Sequence, residues 1–557
     1  MALDKTEIIS KILDSYEEIT ITDEREDIVF FEMKGKEYGC WYSKIDQDTS
    51  SPFILVKNDT SYDYPHILPT SIPVDKNLAN QYRYVCLDEN DSTVTFLQSF
   101  EEKIVGLIEK LIKLLSLSDI EKEEEFQKEF LFYWNEVADC SGIFNVYLGQ
   151  ERKFQRLNVY KNNNGKIRFV ANGISLNDVD EEINGKKKWK HLPELPAFYI
   201  PITDKRRILP PTRDKKWTAE NIQMIVCGKK FNRISHDSYI SLGKEKIKTN
   251  NVAIVFEMEV AGNYIDFTAI IRFKSAKNDT LLNKIRQEII EVLPVVSRRV
   301  DYYYLCKQIG NETSLLDKKV LLVGAGSLGS YIAKEIVKAG VKEITIYDKE
   351  SLVDENLLRH TVCDFWVGHS KAVGLKYELE TIHPEIHINA VNKNIDNNLL
   401  ISEIKKVDLV FFTVGSSDVQ LEMNKVLKNK KCTAKVVYTW LEAGGENSHV
   451  LVIDYSKKGC FQCLFTDRNG GLINNKVNKD SDVEVYKIRN GCGGTRVAYG
   501  NAVLLRTTAV LLDVIRKVFE MPESLNKLID ITPISVMDME DMFVERKCGC
   551  CGDENNK

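Results

Sequence analysis

No apolar run in this 557-residue chain approaches the roughly 18 residues that cross a bilayer, so no membrane span is expected. A basic, apolar leader is also missing. The opening MALDKTEIISKILDSYEEI reads instead as an amphipathic helix with acidic residues. Basic blocks are scarce: the net charge is −6, and only Lys186-Lys187-Lys188 stands out. Lys205-Arg206-Arg207 and Lys215-Lys216 read as solvated faces, so nucleic acid is not an expected partner. Without a leader, the 13 cysteines are expected in the reducing cytoplasm, where thiols serve metals, catalysis or packing. The rest of the composition is ordinary, with 43% hydrophobic and 28% charged residues, enough to build cores. Length alone implies roughly three to four domains.

The richest stretch runs from Lys318 to Lys371. It opens KKVLLVGAGSLGSYIAKEI, which reads as a buried strand, a tight turn and a helix. Gly324 permits the turn, Gly326 lets backbone approach a phosphate, and Gly329 lets the helix pack on the strand. The helix start offers unpaired N–H groups and a positive dipole end to an anion. Asp348 follows Gly329 by nineteen residues, at the end of the next strand, where a carboxylate can hold ribose hydroxyls. Taken alone, this pattern suits NAD and an oxidoreductase. Asn356, Arg359 and Lys371 argue for another chemistry. A dinucleotide has no need of two fixed cations there, whereas a triphosphate attacked by a carboxylate does, because charge builds on the leaving pyrophosphate.

The order GAGSLG, Asp348, NLLRH, GHSK resembles the ThiF/MoeB adenylyltransferases and the ubiquitin-activating enzymes, over roughly the last 250 residues. The resemblance implies an α/β fold with a Rossmann-like, doubly wound adenylation domain at 301–557. It also implies that ATP activates the C-terminal carboxylate of a protein as an acyl-adenylate. Asp348 would bind ribose, while Asn356, Arg359 and Lys371 would hold the phosphates. The family's Thr-Asp-Asn after the fourth strand, whose Asp serves Mg2+, is replaced here by Ser416-Ser417-Asp418, leaving Asp418 as the nearest candidate. Enzymes of this class pair through their Rossmann-like domains, so a homodimer is expected. Arg298, Arg299 and Lys307 occupy the zone from which such enzymes often supply a residue across the dimer.

Cys460-x-x-Cys463 and Cys548-x-x-Cys551 have the spacing of a four-thiolate structural Zn2+ site that would tie the chain's end to the domain. Four buried thiols packed as small hydrophobes are the plainer alternative, and Cys550 competes as a ligand. Cys492, in RNGCGGTRVAYG, sits in a glycine-bounded loop suited to an accessible thiolate. By the same resemblance it would take the acyl group from AMP as a thioester.

The front of the chain, 1–150, reads as a helix (Lys5 to Glu18), a strand meander, the proline-punctuated YPHILPTSIP, then RYVCLDE and a helix from Phe100 to Leu115. In that helix Ile104, Leu107, Ile108, Leu111, Ile112 and Leu115 share one face. A further helix, EEEFQKEFLFYWNEV, follows, with Tyr133 and Trp134 in its core stripe. This order resembles an α+β ubiquitin-conjugating domain, with Cys86-Leu87 at the active-site Cys-Leu. The family's His-Pro-Asn is absent; Asn77 and Asn80 are positional stand-ins for its Asn, and His66 reads as a packing or hydrogen-bonding residue. A Cys86 buried in a strand is the alternative. Residues 151–300 read as a mixed, strand-rich middle domain with no catalytic constellation.

This order of parts resembles the fused conjugating–activating ligases of bacterial CBASS anti-phage operons. The resemblance implies a relay: acyl-adenylate, thioester on Cys492, transfer to Cys86, and conjugation to target amines. The activated protein would be a cGAS/DncV-like nucleotidyltransferase. The alternative is a stand-alone adenylyltransferase for a ubiquitin-like or sulfur-carrier protein, with a non-catalytic front domain.

Overall fold

The computed structural model describes residues 4–42, 52–58, 64–68, 76–87, 98–204, 206–227, 233–310, 313–467, 487–489, 495–521, 526–538 and 548–551. The chain is mixed α/β and divides into two compact units. The first comprises residues 1–145, 152–172 and 191–298, and the second 146–151, 173–190 and 299–557. Among the described residues no helix is long and apolar enough to cross a membrane.

In the first unit an antiparallel meander runs through strands Ile19–Arg25, Ile28–Met33, Lys36–Trp41 and Phe53–Lys57. Strand Tyr82–Val85 adds to Phe53–Lys57, and the short Ile67–Leu68 pairs beyond it. The helix Phe100–Leu115 starts at a capping box, in which Ser99 Oγ accepts from the Glu102 N–H and the Glu102 carboxylate accepts from the Ser99 N–H. It buries Ile104, Leu107, Ile108 and Leu111 against the sheet residues Val29, Phe31 and Ile54. The first helix, Lys5–Leu13, is shorter than its periodicity suggests. Ser15 Oγ donates to the Ile12 carbonyl at 2.6 Å, a local bond that competes with the helical ladder.

The segment expected as one helix over 123–137 is two, Asp119–Lys128 and Phe130–Val137, which meet at a non-helical Glu129. Phe130 and Trp134 then enter a core with Trp217 and Phe267, with ring centroids 4.6 Å apart for Phe130–Phe267 and 5.0 Å for Trp134–Trp217. That core explains why most of 151–298 belongs to the same unit as 1–145 and does not stand apart as a middle domain. Its eight-stranded sheet follows the order 189–191, 155–162, 197–201, 251–260, 263–273, 289–299, 139–147, 167–170, and pairing of 167–170 with 155–162 closes seven of them into a ring.

The second unit is built on one eight-stranded sheet. Strands His387–Val391, Glu343–Tyr347, Lys319–Val323, Leu409–Phe412 and Lys435–Leu441 lie side by side in that order, all parallel. Antiparallel Ser448–Ile453, Lys527–Ile531 and Val536–Asp538 extend it. Val320 to Val323 are buried, as expected for a central strand covered on both faces. The chain order of the parallel strands, 3-2-1-4-5, reverses between Lys319–Val323 and Leu409–Phe412. Ligands of doubly wound sheets bind in the crevice at such a switch point.

Candidate active site

At that switch point lies a cavity of about 310 Å³. The Gly turn forms one wall. Gly324 has a φ of +102°, and a Cβ there would stand 3.0 Å from Thr413 Oγ1. That hydroxyl donates to the Gly324 carbonyl at 2.7 Å and locks the turn onto the neighbouring strand end. At Gly329 a Cβ would fall 2.1 Å from the Gly324 carbonyl oxygen, so helix Ser327–Lys338 reaches the turn only through a glycine. Gly326 differs: a Cβ there meets nothing within 4 Å, because the residue faces the cavity.

Asn356, Arg359 and Lys371 line the same cavity. Asn356 and Arg359 sit on the 3-10 turn Asp354–Arg359, and Lys371 begins the helix Lys371–Glu380. Lys371 is nearly buried, its side chain 8% exposed, and pairs at 2.6 Å with Glu350, whose side chain is 63% exposed. The Lys371 ammonium holds the Glu350 carboxyl below its ordinary range. Arg359 reaches the hydroxyl of Tyr499 at 3.4 Å and lies 5.5 Å from its ring centroid. Its Nε is buried with no partner among the described residues. Asn501 donates to the Leu358 carbonyl at 2.8 Å and so fastens the turn to the helix Asn501–Glu520.

Asp348 sits beside the turn rather than in the cavity lining. Its carboxylate accepts from the Ala325 N–H at 2.6 Å and from the Glu350 N–H at 2.7 Å. His360 Nε2 bonds the Ala325 carbonyl at 2.7 Å from the other side, and burial lowers its imidazole below the ordinary value. Asp418 is exposed on the first turn of the helix Ser417–Asn429 and does not line the cavity, where Glu350 is the one carboxylate among the described residues. Arg299, one of three cations in the zone from which related enzymes often supply a residue across a dimer, pairs with Asp301 at 2.6 Å.

Cys460, Cys463, Cys548 and Cys551 converge, their sulfurs all within 4.8 Å of one another. Cys463–Cys548 stand 3.5 Å apart, Cys460–Cys548 3.6 Å, and Cys460–Cys463 and Cys463–Cys551 4.0 Å. Four thiolates at about 2.3 Å from a tetrahedral Zn2+ would stand about 3.8 Å apart, so the cluster fits that ion. Hydrogen bonding by Cys463, then by Cys548, pushes the Cys460 thiol far below its ordinary value. Cys550 stands to one side, where Asn424 Nδ2 contacts its sulfur at 3.7 Å and that of Cys460 at 3.5 Å.

In the first unit Cys86 is half-buried, just past the end of strand Tyr82–Val85 rather than within it. Its N–H donates to the His66 carbonyl at 2.8 Å, so the proline-bearing segment twenty residues upstream lies directly alongside. His66 has a left-handed φ of +69° and is gripped from several sides. Its N–H donates to the Tyr133 hydroxyl at 2.9 Å, and its ring pairs with Glu129 at 2.7 Å and Glu125 at 3.6 Å. Burial alone would lower this imidazole, but the two glutamates outweigh burial and raise it. This pairing accounts for the helix break at Glu129. Asn77 and Asn80 lie on the short helix Lys76–Gln81 leading to the Cys86 strand. Cys492 lies outside the described residues.

Sequence reasoning missed Glu350, His360 and Tyr499. Glu350 and His360 adjoin motif residues and were within reach of it. Tyr499, 140 residues beyond Arg359, left no signal in the chain's local pattern.

A doubly wound sheet with a glycine turn, two cations and an amide around one cavity defines a nucleotide-binding α/β domain. Residues 305–551 match the model of the ThiF family. Among similar proteins, an "ATP-dependent ubiquitin transferase-like protein Cap2" of Escherichia coli (strain TW11681) is 22% identical over 68% of this chain and 68% of its own length. A protein of the same name from Pseudomonas aeruginosa is 22% identical over 47% of this chain, which spans 48% of that relative. The "Molybdopterin-synthase adenylyltransferase" of Escherichia coli (strain K12) is 32% identical over 28% of this chain and 61% of its own. Among solved structures, Escherichia coli MccB with ATP is 20% identical, covering 43% of this chain and 68% of that one, with a TM-score of 0.34.

Proposed function

We propose that this chain activates the C-terminal carboxylate of a protein with ATP and passes it through thioesters on Cys492 and Cys86 to target amines, within the cytoplasm. The observation that carries the adenylation step is the convergence of Gly326, Asn356, Arg359 and Lys371 on one cavity. In this reading the Gly turn and helix dipole cradle the phosphates, and Arg359 and Lys371 stabilise the departing pyrophosphate as the carboxylate oxygen bonds to the α-phosphorus. Asp348 takes the ribose by exchanging one of its two backbone bonds. Mg2+ would arrive with the triphosphate, whose oxygens are its usual ligands alongside few carboxylates. A structural Zn2+ on Cys460, Cys463, Cys548 and Cys551 would anchor residues 548–551.

The position of Cys86 past its strand, tied to the His66 carbonyl, supports a thiol that receives the acyl group. The name of the Cap2 relatives supports ATP-dependent, ubiquitin-like transfer. A cGAS/DncV-like nucleotidyltransferase as the activated protein, anti-phage defence and a homodimer rest on the resemblance of the order of parts to the CBASS ligases. The stand-alone adenylyltransferase reading has one observation in its favour: the molybdopterin-synthase adenylyltransferase of Escherichia coli (strain K12) is 32% identical where it matches, above the 22% of the Cap2-named relatives.

Exchange of labelled pyrophosphate into ATP, in the presence of a cGAS/DncV-like synthase, tests the first step. Exchange should require the synthase's free C-terminus and fall at least about a hundredfold in Arg359→Ala. Exchange unaffected by Arg359→Ala would refute the assigned site.

A further inference from the structure

The nucleotide cavity and the four-cysteine cluster lie on opposite sides of one short turn. Phe461–Phe465 is a 3-10 turn that directly follows Cys460 and carries Cys463. Cys460 and Cys463 turn their sulfurs to the cluster, while Phe461, Leu464 and Phe465 line the cavity. The helix Ser417–Asn429 repeats this division. Ser417 and Gln420 line the cavity, and Asn424, one turn further on, reaches the cysteines.

Asn424 is fully buried, and its carboxamide serves both sides. Its Oδ1 accepts from the Phe461 N–H at 3.0 Å and from the Tyr455 hydroxyl at 2.9 Å. A backbone N–H can only donate, so the oxygen is fixed on that side and the amide NH2 faces the sulfurs. There Nδ2 stands 3.5 Å from Cys460 Sγ and 3.7 Å from Cys550 Sγ. The Tyr455 hydroxyl also meets that of Tyr438 at 2.8 Å, and the Tyr438 ring stacks on Phe461, with centroids 4.5 Å apart and planes at 15°. Phe461 is therefore held twice through one amide, by its backbone and by its ring.

Four thiolates outweigh the charge of one Zn2+, and an N–H aimed at a ligand sulfur offsets the excess. Outer partners of this kind are worth about 10- to 100-fold in metal affinity. A loaded cluster fixes Cys460, and through Asn424 it fixes Phe461 and the cavity wall. A nucleotide that then binds has less of the chain left to order.

We propose that Asn424 links the two sites, positioning Cys460 for the metal and Phe461 for the cavity, so that metal and nucleotide each strengthen binding of the other. Such a linkage is reciprocal by thermodynamic necessity, which makes it measurable from the metal side. It rests on the adenylation reading of the cavity and on the zinc reading of the cluster.

The test measures the zinc affinity of the full chain by competition with the chromogenic chelator pyridylazoresorcinol, with and without saturating AMP. AMP is the probe because a triphosphate itself chelates zinc. In wild type, AMP should raise the zinc affinity about fivefold or more. In Asn424→Ala the zinc affinity should fall about tenfold or more, and AMP should change it by less than about twofold. A wild-type zinc affinity unmoved by bound AMP would overturn the proposal, whether or not the variant folds. An Asn424→Ala chain that keeps the full AMP effect would overturn it too. A chain that binds AMP but no zinc would instead refute the metal reading, and one that binds zinc but neither AMP nor ATP would refute the adenylation reading; either takes this proposal with it.

Discussion

Gly326 and Gly329 lie three residues apart in one turn, yet the structure assigns them opposite sensitivities. An alanine methyl at 329 would sit 2.1 Å from the Gly324 carbonyl oxygen and 2.7 Å from Thr413 Oγ1. The first obstacle is backbone, itself locked by Thr413, so the turn and helix must part. Overpacking of this kind costs about 1–3 kcal/mol and sometimes more. At about 3 kcal/mol, and about 2–4 °C per kcal/mol for a domain near 250 residues, Gly329→Ala should lower Tm by about 6–12 °C. Gly326→Ala should barely move it. That residue has φ −75° and ψ −162°, open to any L residue, and its methyl meets only the cavity. The loss lies in binding: the methyl occupies the approach to phosphate, and ATP affinity should fall at least about tenfold, or about 1.4 kcal/mol. Circular dichroism melts and equilibrium dialysis with ATP read the two effects separately. A Gly326→Ala chain that binds ATP like wild type would refute the placement of phosphate at this turn. An unshifted melt for Gly329→Ala would refute the packing argument.

The four-cysteine cluster should yield about one zinc per chain by elemental analysis, and Cys463→Ser or prolonged chelation should abolish it and lower Tm by at least several degrees. Because Glu350 competes for the Lys371 ammonium, Glu350→Gln should tighten ATP binding a few-fold by equilibrium dialysis, while Lys371→Ala should weaken it about tenfold or more. The imidazole of His449 is depressed by burial, but Asp530 and Glu442 more than offset this and raise it above its ordinary 6.5. Its stabilising contribution is therefore full below about pH 6.5 and lost as pH rises through the raised value. The Tm gap between wild type and His449→Gln should narrow from about pH 6.5 upward.

Legibility in the sequence followed contact distance along the chain. The strand-turn-helix at Lys318 to Lys338 and the helix Phe100–Leu115 rest on local spacing and were readable residue by residue. So were the amide and the two cations, because Asn356, Arg359 and Lys371 fall within sixteen residues of one another. The two CxxC pairs were readable as one four-thiolate cluster from their spacing, although they lie 85 residues apart. Three features stayed hidden. The break at Glu129 comes from His66, 63 residues away, which overrides a good helical period. The union of 1–145 with most of 151–298 comes from Trp134 meeting Trp217 and Phe267, whose aromatic stripe looks the same whichever core it enters. A row of Trp440, His449 and Asp530, each opposite the next across three strands, exists only in strand register, which no local pattern encodes. Asp418 shows the converse: an acidic residue near the expected position, which the helix start holds exposed, outside the cavity lining.

The account turns on whether activation at this cavity feeds two cysteines in series. A non-reducing gel of the chain with ATP, Mg2+ and a cGAS/DncV-like synthase, run for wild type, Cys492→Ala and Cys86→Ala, addresses that directly. The relay predicts a thiol-sensitive adduct in wild type, none in Cys492→Ala, and in Cys86→Ala an adduct that forms on Cys492 but never reaches target amines. An adduct that forms without Cys492, or conjugation that proceeds without Cys86, would contradict it.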